Sequence, residues 1–174
     1  LLILVHVLGH ANDMKSIMEI CSKYKIKIIE DTCEALGSTY KGKNLGTLGI
    51  ASTFSFYYGH HISTIEGGML TLDDKKLYNI LLSIRSHGWG RDLEKKERNR
   101  LEKKYNIDNV RSLYTFYYSG FNLRPTDLNA FLGIQQMKVL VEEVLTLMKN
   151  AGVKPGVFTY TTLMNAYGTN HTKA

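Results

Sequence analysis

The chain has 174 residues, enough for one ordinary domain with its own hydrophobic core. Hydrophobic residues make up 44% of it and charged residues 22%, which is typical of a globular protein and excludes a low-complexity chain. The net charge of +6 suits an anionic ligand, but it is too evenly spread to argue for nucleic acid by itself. The apolar opening LLILVHVL is too short to cross a bilayer. Because the sequence starts at Leu1 rather than at a methionine, we expect a piece of a longer protein.

The cysteines and histidines limit the kinds of site that the chain can form. Cys21 and Cys33 cannot build a disulfide framework or supply four thiolates to an iron–sulfur cluster, so we predict a cytoplasmic protein in a reducing compartment. The adjacent His60 and His61 would point in opposite directions in an extended segment. We therefore predict no metal site.

The first part of the chain has the pattern of a parallel βαβ unit. The continuous apolar run Leu1–Val7 predicts a strand buried on both faces. Asn12 or Asp13 can cap a following helix, in which apolar residues recur with helical spacing. Lys25–Glu30 is the next predicted strand, and Asp31 follows at its carboxyl end, where ligands gather in such sheets.

The stretch TFSFYYGHHISTIEGGMLTL reads as strand, turn and strand, with the two histidines at the turn. Thr53–Tyr57 is β-branched and aromatic, Gly59 interrupts it, and Glu66-Gly67-Gly68 leads into the second strand. A strand-end loop that carries hydroxyls and imidazoles is a candidate place for chemistry. From these residues alone, a pair of ordinary polar loop histidines is the other interpretation.

The later part of the chain is predicted to be mainly helical. Asp73–His87 has the spacing of an amphipathic helix with Leu77, Ile80, Leu81 and Ile84 inward. The mixed-charge run Arg91–Lys104 predicts a solvated helix in which Glu94 and Arg98 lie four residues apart. Thr126 can cap a further helix with Asp127 in its first turn.

Three strings in this order, EDTCEALGSTYKGKNLGTLG, FSFYYGHHISTIEGG and NLRPTDLNA, resemble the DegT/DnrJ/EryC1/StrS family of sugar aminotransferases. The resemblance implies an α/β fold, part of the large domain of fold-type I enzymes, with a mostly parallel sheet and flanking helices. It also implies pyridoxal phosphate as cofactor. In that family a serine precedes the cofactor-binding lysine by five residues; here Ser55 takes the serine position and His60 the lysine position. That exchange is similar to the branch of sugar-nucleotide 3-dehydratases.

The resemblance also implies roles for individual residues. His60 would be the catalytic base of an enzyme that works with pyridoxamine phosphate, and Asp31 would pair with the pyridinium nitrogen. Ser55 would hold the cofactor phosphate, and Asn122 would reach it from the neighbouring subunit of a homodimer. Glu34 would lie beside the ring, where many relatives carry glutamine or histidine. For Asp31, the residues alone favour another reading, the N-cap of a short helix over residues 32–36.

The activity that the resemblance implies is C3 dehydration of a 4-keto-6-deoxy sugar nucleotide, with no membrane partner. The alternative is a true aminotransferase, which needs a lysine in reach of the cofactor. Lys41 and Lys43 are nearest in sequence, and neither matches the family position. A basic, glycine-containing stretch like SHGWGRD is near the substrate in the family, although a structural role for Trp89 is an equal alternative.

After about Lys138 the resemblance to this family ends, and the sequence resembles part of a pentatricopeptide repeat. We therefore predict two parts, a partial transferase-like large domain over residues 1–138 and a helical hairpin over residues 139–174. Pentatricopeptide arrays bind single-stranded RNA, but about three stacked repeats are needed before such an array buries a core. We do not expect nucleic acid as a partner, and a non-catalytic fragment with an RNA-binding-like tail is left as an alternative.

Overall fold

The computed structural model describes residues 1–154 and divides the chain into two compact units. Among the described residues, the first unit contains Leu1–Thr71 and residues 126–154, and the second contains Leu72–Pro125. The strands are β1 (Leu2–Val5), β2 (Ile28–Asp31), β3 (Thr39–Tyr40), β4 (Lys43–Asn44), β5 (Ala51–Ser55) and β6 (Gly68–Thr71). The α-helices are α1 (Met14–Lys23), α2 (Lys75–Arg85), α3 (Lys95–Tyr105), α4 (Asn109–Ser112) and α5 (Asp127–Asn150), and a short 3₁₀ turn covers Val7–Gly9.

A four-stranded sheet in the order β1-β2-β5-β6 forms the centre of the first unit. β1, β2 and β5 are parallel, and β6 runs antiparallel to β5. Asp13 caps α1 by accepting from the Ser16 N–H, and α1 connects β1 to β2. The buried core between them contains Leu4, Met14, Cys21 and Ile28. The predicted parallel βαβ unit is confirmed.

β1 is not buried on both faces, so that expectation was wrong. Leu4 is in the core beneath α1, whereas Ile3 and Val5 are 64% and 45% exposed. Successive side chains of a strand point to opposite faces, so the exposed pair lies on the face that α1 does not cover. β1 also occupies an edge of the sheet. A mostly apolar run therefore does not distinguish an edge strand with one packed face from a central strand packed on both.

Two other strands begin elsewhere than predicted. β2 starts at Ile28 rather than Lys25, because the chain turns at Lys25, where φ is +55°. β5 covers Ala51–Ser55 rather than Thr53–Tyr57, since the turn toward the histidines already begins after Ser55. Both shifts place Asp31 and Ser55 as the last residues of their strands.

The second unit contains the two helices predicted from amphipathic and charged patterns. Asp74 caps α2 through the Leu77 N–H, but the buried positions of α2 are Asn79 and Ser83. The four aliphatic residues predicted to face inward are only half-buried. Asn79 and Ser83 instead bind the loop that follows α2, through the Glu94 N–H and the Trp89 carbonyl.

The charged helix α3 forms as predicted, although its ion pairs differ from the expected one. Glu94 is the N-cap residue, and Arg98 lies 3.7 Å from Glu102 rather than pairing with Glu94. Arg100 forms a bidentate ion pair with Glu97, in which Nε and Nη2 each donate to one carboxylate oxygen.

α5 begins with the capping box of Thr126 and Asn129 and continues without a break past position 138. The cap at Thr126 and the place of Asp127 in the first turn are confirmed. The division into parts at residue 138 stays a prediction, and the second helix of the repeat-like tail falls outside the described residues. Within residues 1–154, no helix is long and apolar enough to cross a membrane.

Candidate active site

Asp31 and Ser55 end two neighbouring parallel strands, β2 and β5, at the same edge of the sheet. The register pairs Asp31 directly with Thr53 on β5. Ligands of open α/β sheets bind outside the carboxyl ends of the strands. The fold thus places two of the candidate residues where a ligand is expected.

The Asp31 carboxylate is held in a turn by the residues that follow it. Its Oδ1 accepts the Cys33 N–H at 3.1 Å, and residues 32–36 form turns rather than a helix. The helix N-cap interpretation of Asp31 was therefore wrong. Hydrogen bonding from the Cys33 thiol, assisted by the Cys33 N–H and the Thr53 hydroxyl, lowers the pKa of Asp31 against the opposing effect of partial burial. The charge of His60 acts in the same direction.

His60 lies in the turn after β5. Its N–H donates to the Tyr57 carbonyl at 3.0 Å, and its ring meets the Tyr57 ring edge-on with centroids 6.3 Å apart. His60 is half-buried, whereas His61 is exposed. In the part of the chain that the structure describes, no group of three or more histidine, cysteine or acidic side chains could hold a metal ion.

Ser55 keeps a donor available at the end of β5. Its Oγ accepts the Tyr57 N–H at 3.2 Å, a bond that leaves the hydroxyl hydrogen unused. A half-buried hydroxyl in this position can donate to a phosphate oxygen.

Glu34 and Asn122, the other two predicted cofactor-binding residues, have different surroundings from Asp31 and Ser55. The Glu34 carboxylate accepts the N–H of Leu8 at 2.7 Å, and so fixes the turn after β1, where Leu8 has a φ of +51°. Asn122 belongs to the second unit, where its backbone forms an isolated antiparallel β-bridge with Ser86. Asn122 is exposed. The roles of both residues in cofactor binding stay predictions.

The contacts of Trp89 support a structural role for this residue, one of the two interpretations of the SHGWGRD stretch. Its Nε1–H donates to the Leu113 carbonyl at 2.8 Å, and its ring stacks on Phe116 with centroids 5.8 Å apart. The Arg91 guanidinium lies over the same ring, 5.2 Å from the centroid. Trp89 and Arg91 also line a cavity of about 510 Å³ within the second unit.

A buried pair of ionisable residues, His6 and Glu30, was missed by the sequence analysis. Both side chains are fully buried, and His6 Nε2 lies 3.2 Å from Glu30 Oε2. Glu30 also accepts the N–H groups of Gly46, Leu48 and Gly49 at 2.6–2.8 Å, so each carboxylate oxygen has two donors. The signal was present: a strand that is apolar up to Ile29 ends in two acids, and alternation requires that they face opposite sides.

Comparison with protein families gives a match to the DegT/DnrJ/EryC1/StrS aminotransferase family over residues 1–164. The chain is 40% identical over 154 residues to the GDP-4-keto-6-deoxy-D-mannose 3-dehydratase of Yersinia pseudotuberculosis, covering 88% of this chain and 39% of the relative. It is 40% identical to the enzyme of the same name from Escherichia coli O55:H7, covering 84% of this chain and 37% of that relative. The chain thus spans less than two fifths of the length of these relatives.

Solved structures agree with this match. The Escherichia coli GDP-4-keto-6-deoxy-D-mannose-3-dehydratase with bound hydrated PLP superposes with a TM-score of 0.71 at 37% identity, covering 86% of this chain and 38% of that one. A histidine-to-asparagine mutant of GDP-4-keto-6-deoxymannose-3-dehydratase (ColD) with bound GDP-perosamine gives 0.70 at 36% identity, covering 86% of this chain and 38% of that one. The predicted α/β fold with a mostly parallel sheet is confirmed.

Proposed function

Because the chain belongs to the DegT/DnrJ/EryC1/StrS aminotransferase family, we propose that it is part of a pyridoxamine-phosphate-dependent 3-dehydratase of a 4-keto-6-deoxy sugar nucleotide. The observation that carries the proposal is His60, which lies in the turn that follows β5, five residues after Ser55, where the family carries its lysine. The relatives named as 3-dehydratases support the same branch.

The residues at the sheet edge fit a phosphorylated pyridine cofactor. A protonated ring nitrogen needs an anion beside it, and the hydrogen bonds to Asp31 favour its ionised form. Ser55 supplies a hydroxyl for the phosphate from the next strand. The imidazole of His60 can both accept and return a proton.

Each residue then has one task in the proposed mechanism. Asp31 keeps a proton on the pyridine nitrogen, and the bound cofactor supplies an electron sink for a neighbouring carbanion. A ring nitrogen of His60 would accept a proton from the cofactor's methylene carbon and return it to the departing 3-hydroxyl of the sugar, which would leave as water. Ser55 and Asn122 would bind the phosphate, Asn122 from the partner subunit, and Glu34 would lie beside the ring. Without a lysine amine the cofactor is held by non-covalent contacts alone.

Membership of the same family also suggests the substrate, the oligomeric state and the location of the complete enzyme. The substrate is a nucleotide sugar, as the relatives' names indicate for those enzymes. The complete enzyme is a homodimer that completes each site with Asn122 from its partner. Two free cysteines in the described residues agree with a cytoplasmic location.

An aminotransferase is the second candidate, since relatives at 36% and 34% identity are named GDP-perosamine synthases. It requires a lysine that reaches the cofactor. Lys41 and Lys43 belong to the β3–β4 hairpin, where Lys41 has a φ of +49° and lies over the Tyr40 ring.

Borohydride trapping separates the two candidates. The chain is incubated with pyridoxal phosphate, reduced, and examined by peptide mass spectrometry. The dehydratase assignment predicts saturable binding by absorbance and no reduced adduct on a specific lysine. The His60→Lys variant is the positive control and should gain an adduct at position 60. A stoichiometric adduct on Lys41 or Lys43 of the unaltered chain would favour the aminotransferase instead.

A further inference from the structure

The carboxylate of Asp31 lies against two neighbours whose side chains carry hydrogen-bond donors. Cys33 donates its N–H to Oδ1 at 3.1 Å, and its Sγ lies 3.9 Å from Oγ1 of Thr53. The β2–β5 register sets Thr53 directly opposite Asp31. The carboxylate, the thiol and the hydroxyl therefore form one cluster at the carboxyl end of β2.

Thr53 is fixed in this position by a buried network on the adjoining strands. The N–H and the hydroxyl of Thr32 both donate to the Thr53 carbonyl, at 3.0 and 2.7 Å. The Thr32 hydroxyl also lies 2.9 Å from that of Ser52, and both of these side chains are fully buried. Such a network limits how far Thr53 can shift relative to Asp31.

The electrostatics of the cluster favour a protonated thiol beside an ionised carboxylate. Burial, with the adjacent Asp31, raises the pKa of Cys33 to about 11, so the thiol stays protonated at neutral pH. It can then act as a donor, and it is unsuited to be a nucleophile. The same hydrogen bonds, from the thiol first, lower the pKa of Asp31 while partial burial opposes them. A positive charge on His60, in the β5–β6 turn, would lower the pKa of Asp31 further.

We propose that Cys33 and Thr53 are positioning residues that orient the Asp31 carboxylate and keep it anionic for a protonated heterocyclic nitrogen. The inference rests on the proposed function for the identity of that nitrogen. In many binding sites, residues that do not touch the ligand orient the side chain that does. Here they would act through hydrogen bonds only, with no covalent step.

A titration of Asp31 in the ligand-free chain tests the first half of the proposal. The carboxyl carbons of aspartate are isotopically labelled, and the Asp31 resonance is assigned by its loss in Asp31→Asn. Cys33→Ala and Thr53→Val should each raise the pKa of Asp31 toward its ordinary value, and the double variant should raise it further. Cys33→Ser and Thr53→Ser keep a donor and should restore the low value.

Two substitutions serve as matched controls. Thr71→Val removes a buried hydroxyl of β6 that has no hydrogen-bond partner among residues 1–154. Cys21→Ala removes the other thiol, which lies in the core with α1. Both should leave the pKa of Asp31 unchanged. An unchanged Asp31 pKa in the folded Cys33→Ala/Thr53→Val double variant would overturn the inference.

The second half is tested with cofactor labelled at the pyridine nitrogen. In the double variant, the chemical shift of the pyridine nitrogen should move toward that of the unprotonated ring. The affinity for pyridoxamine phosphate should fall about tenfold, as expected for the loss of hydrogen bonds to a charged group. A loss of affinity with no change in nitrogen protonation would contradict the positioning role. If the unaltered chain binds no cofactor, the proposed function fails, and the ligand-free titration still decides whether Cys33 and Thr53 control Asp31.

Discussion

Glu30 and Asp31 are adjacent carboxylates with opposite surroundings. Glu30 points into the protein, where four donors from His6 and the 46–49 loop surround it. Asp31 lies at the carboxyl end of β2, where the Cys33 N–H donates to its Oδ1 and Thr53 is its direct neighbour on β5. Strand alternation separates the two acids, so one can stabilise the sheet while the other is left for chemistry.

The Glu30 network makes a prediction for stability. In Glu30→Gln, an amide NH₂ must face two donors, because each oxygen of the native carboxylate accepts two hydrogen bonds. We expect the free energy of unfolding to fall by about 3 kcal/mol, as for a broken buried pair. Urea denaturation measures it. Glu19→Gln on the exposed face of α1 is the control and should change it by less than about 0.5 kcal/mol. Equal effects of the two substitutions would contradict the account.

The positions of Asp31, Ser55 and His60 at or after strand ends could be predicted from the sequence. Each lies at the end of a β-branched or apolar segment and within a motif that resembles the family. Sequence reasoning could not find His6, whose partner is 24 residues away and depends on the βαβ connection. It also missed that Cys33 contacts Asp31, since a turn rather than a helix follows β2. Contacts of this kind are set by register, which a sequence pattern fixes only within a residue or two.

At the scale of elements, α5 supports the loop that carries the histidines. The Asn129 amide donates to the carbonyls of Thr64 and Glu66 at 2.8 and 3.3 Å, while its oxygen accepts the N–H of Thr126 in the capping box. Gly133 lies so close to Thr64 that a Cβ there would be 3.1 Å from its methyl group. The first two turns of α5 thus hold the segment between His60 and β6.

This support predicts a local effect of Asn129→Ala. The substitution removes the Asn129 side of the capping box and the amide donor of the Thr64 carbonyl, while the Glu66 carbonyl keeps the Thr64 hydroxyl as a donor. We therefore expect a loss of about 1–2 kcal/mol of stability. Hydrogen exchange followed by mass spectrometry should show faster exchange in residues 60–67. Gln136→Ala, on an exposed part of the same helix, is the control. Protection of residues 60–67 that is the same in both variants would show that α5 does not hold this loop.

Amphipathic patterns predicted the helices more reliably than they predicted what those helices bury. α1 buries Met14 and Cys21 and packs Ile17 against the core, whereas Met18, predicted on the same face, is exposed. α2 instead places Asn79 and Ser83 at its most buried positions, where they bind backbone groups of the next loop. Apolar periodicity indicates that a helix forms, but a buried polar residue with a distant backbone partner leaves no periodic signal.

For the whole molecule, the chain shares its family's fold while spanning less than two fifths of its relatives' length. The strand order and the residues at the sheet edge are contained in the first unit, together with α5. Asn122 lies in the second unit, and its proposed contact would come from a partner subunit. His60 and Asp31, by contrast, both belong to the first unit, so the chemistry proposed for them needs no residue of the second.

The most direct test of that chemistry follows deuterium into the methylene group of pyridoxamine phosphate, with a 4-keto-6-deoxy sugar nucleotide present in heavy water. The account predicts that the chain catalyses this exchange and that His60→Asn binds the cofactor with similar affinity but exchanges at least about a hundredfold more slowly, as for loss of a general base. His61→Asn, the adjacent exposed imidazole, should exchange at the rate of the unaltered chain. Undiminished exchange by His60→Asn would contradict the assignment of His60 as the base.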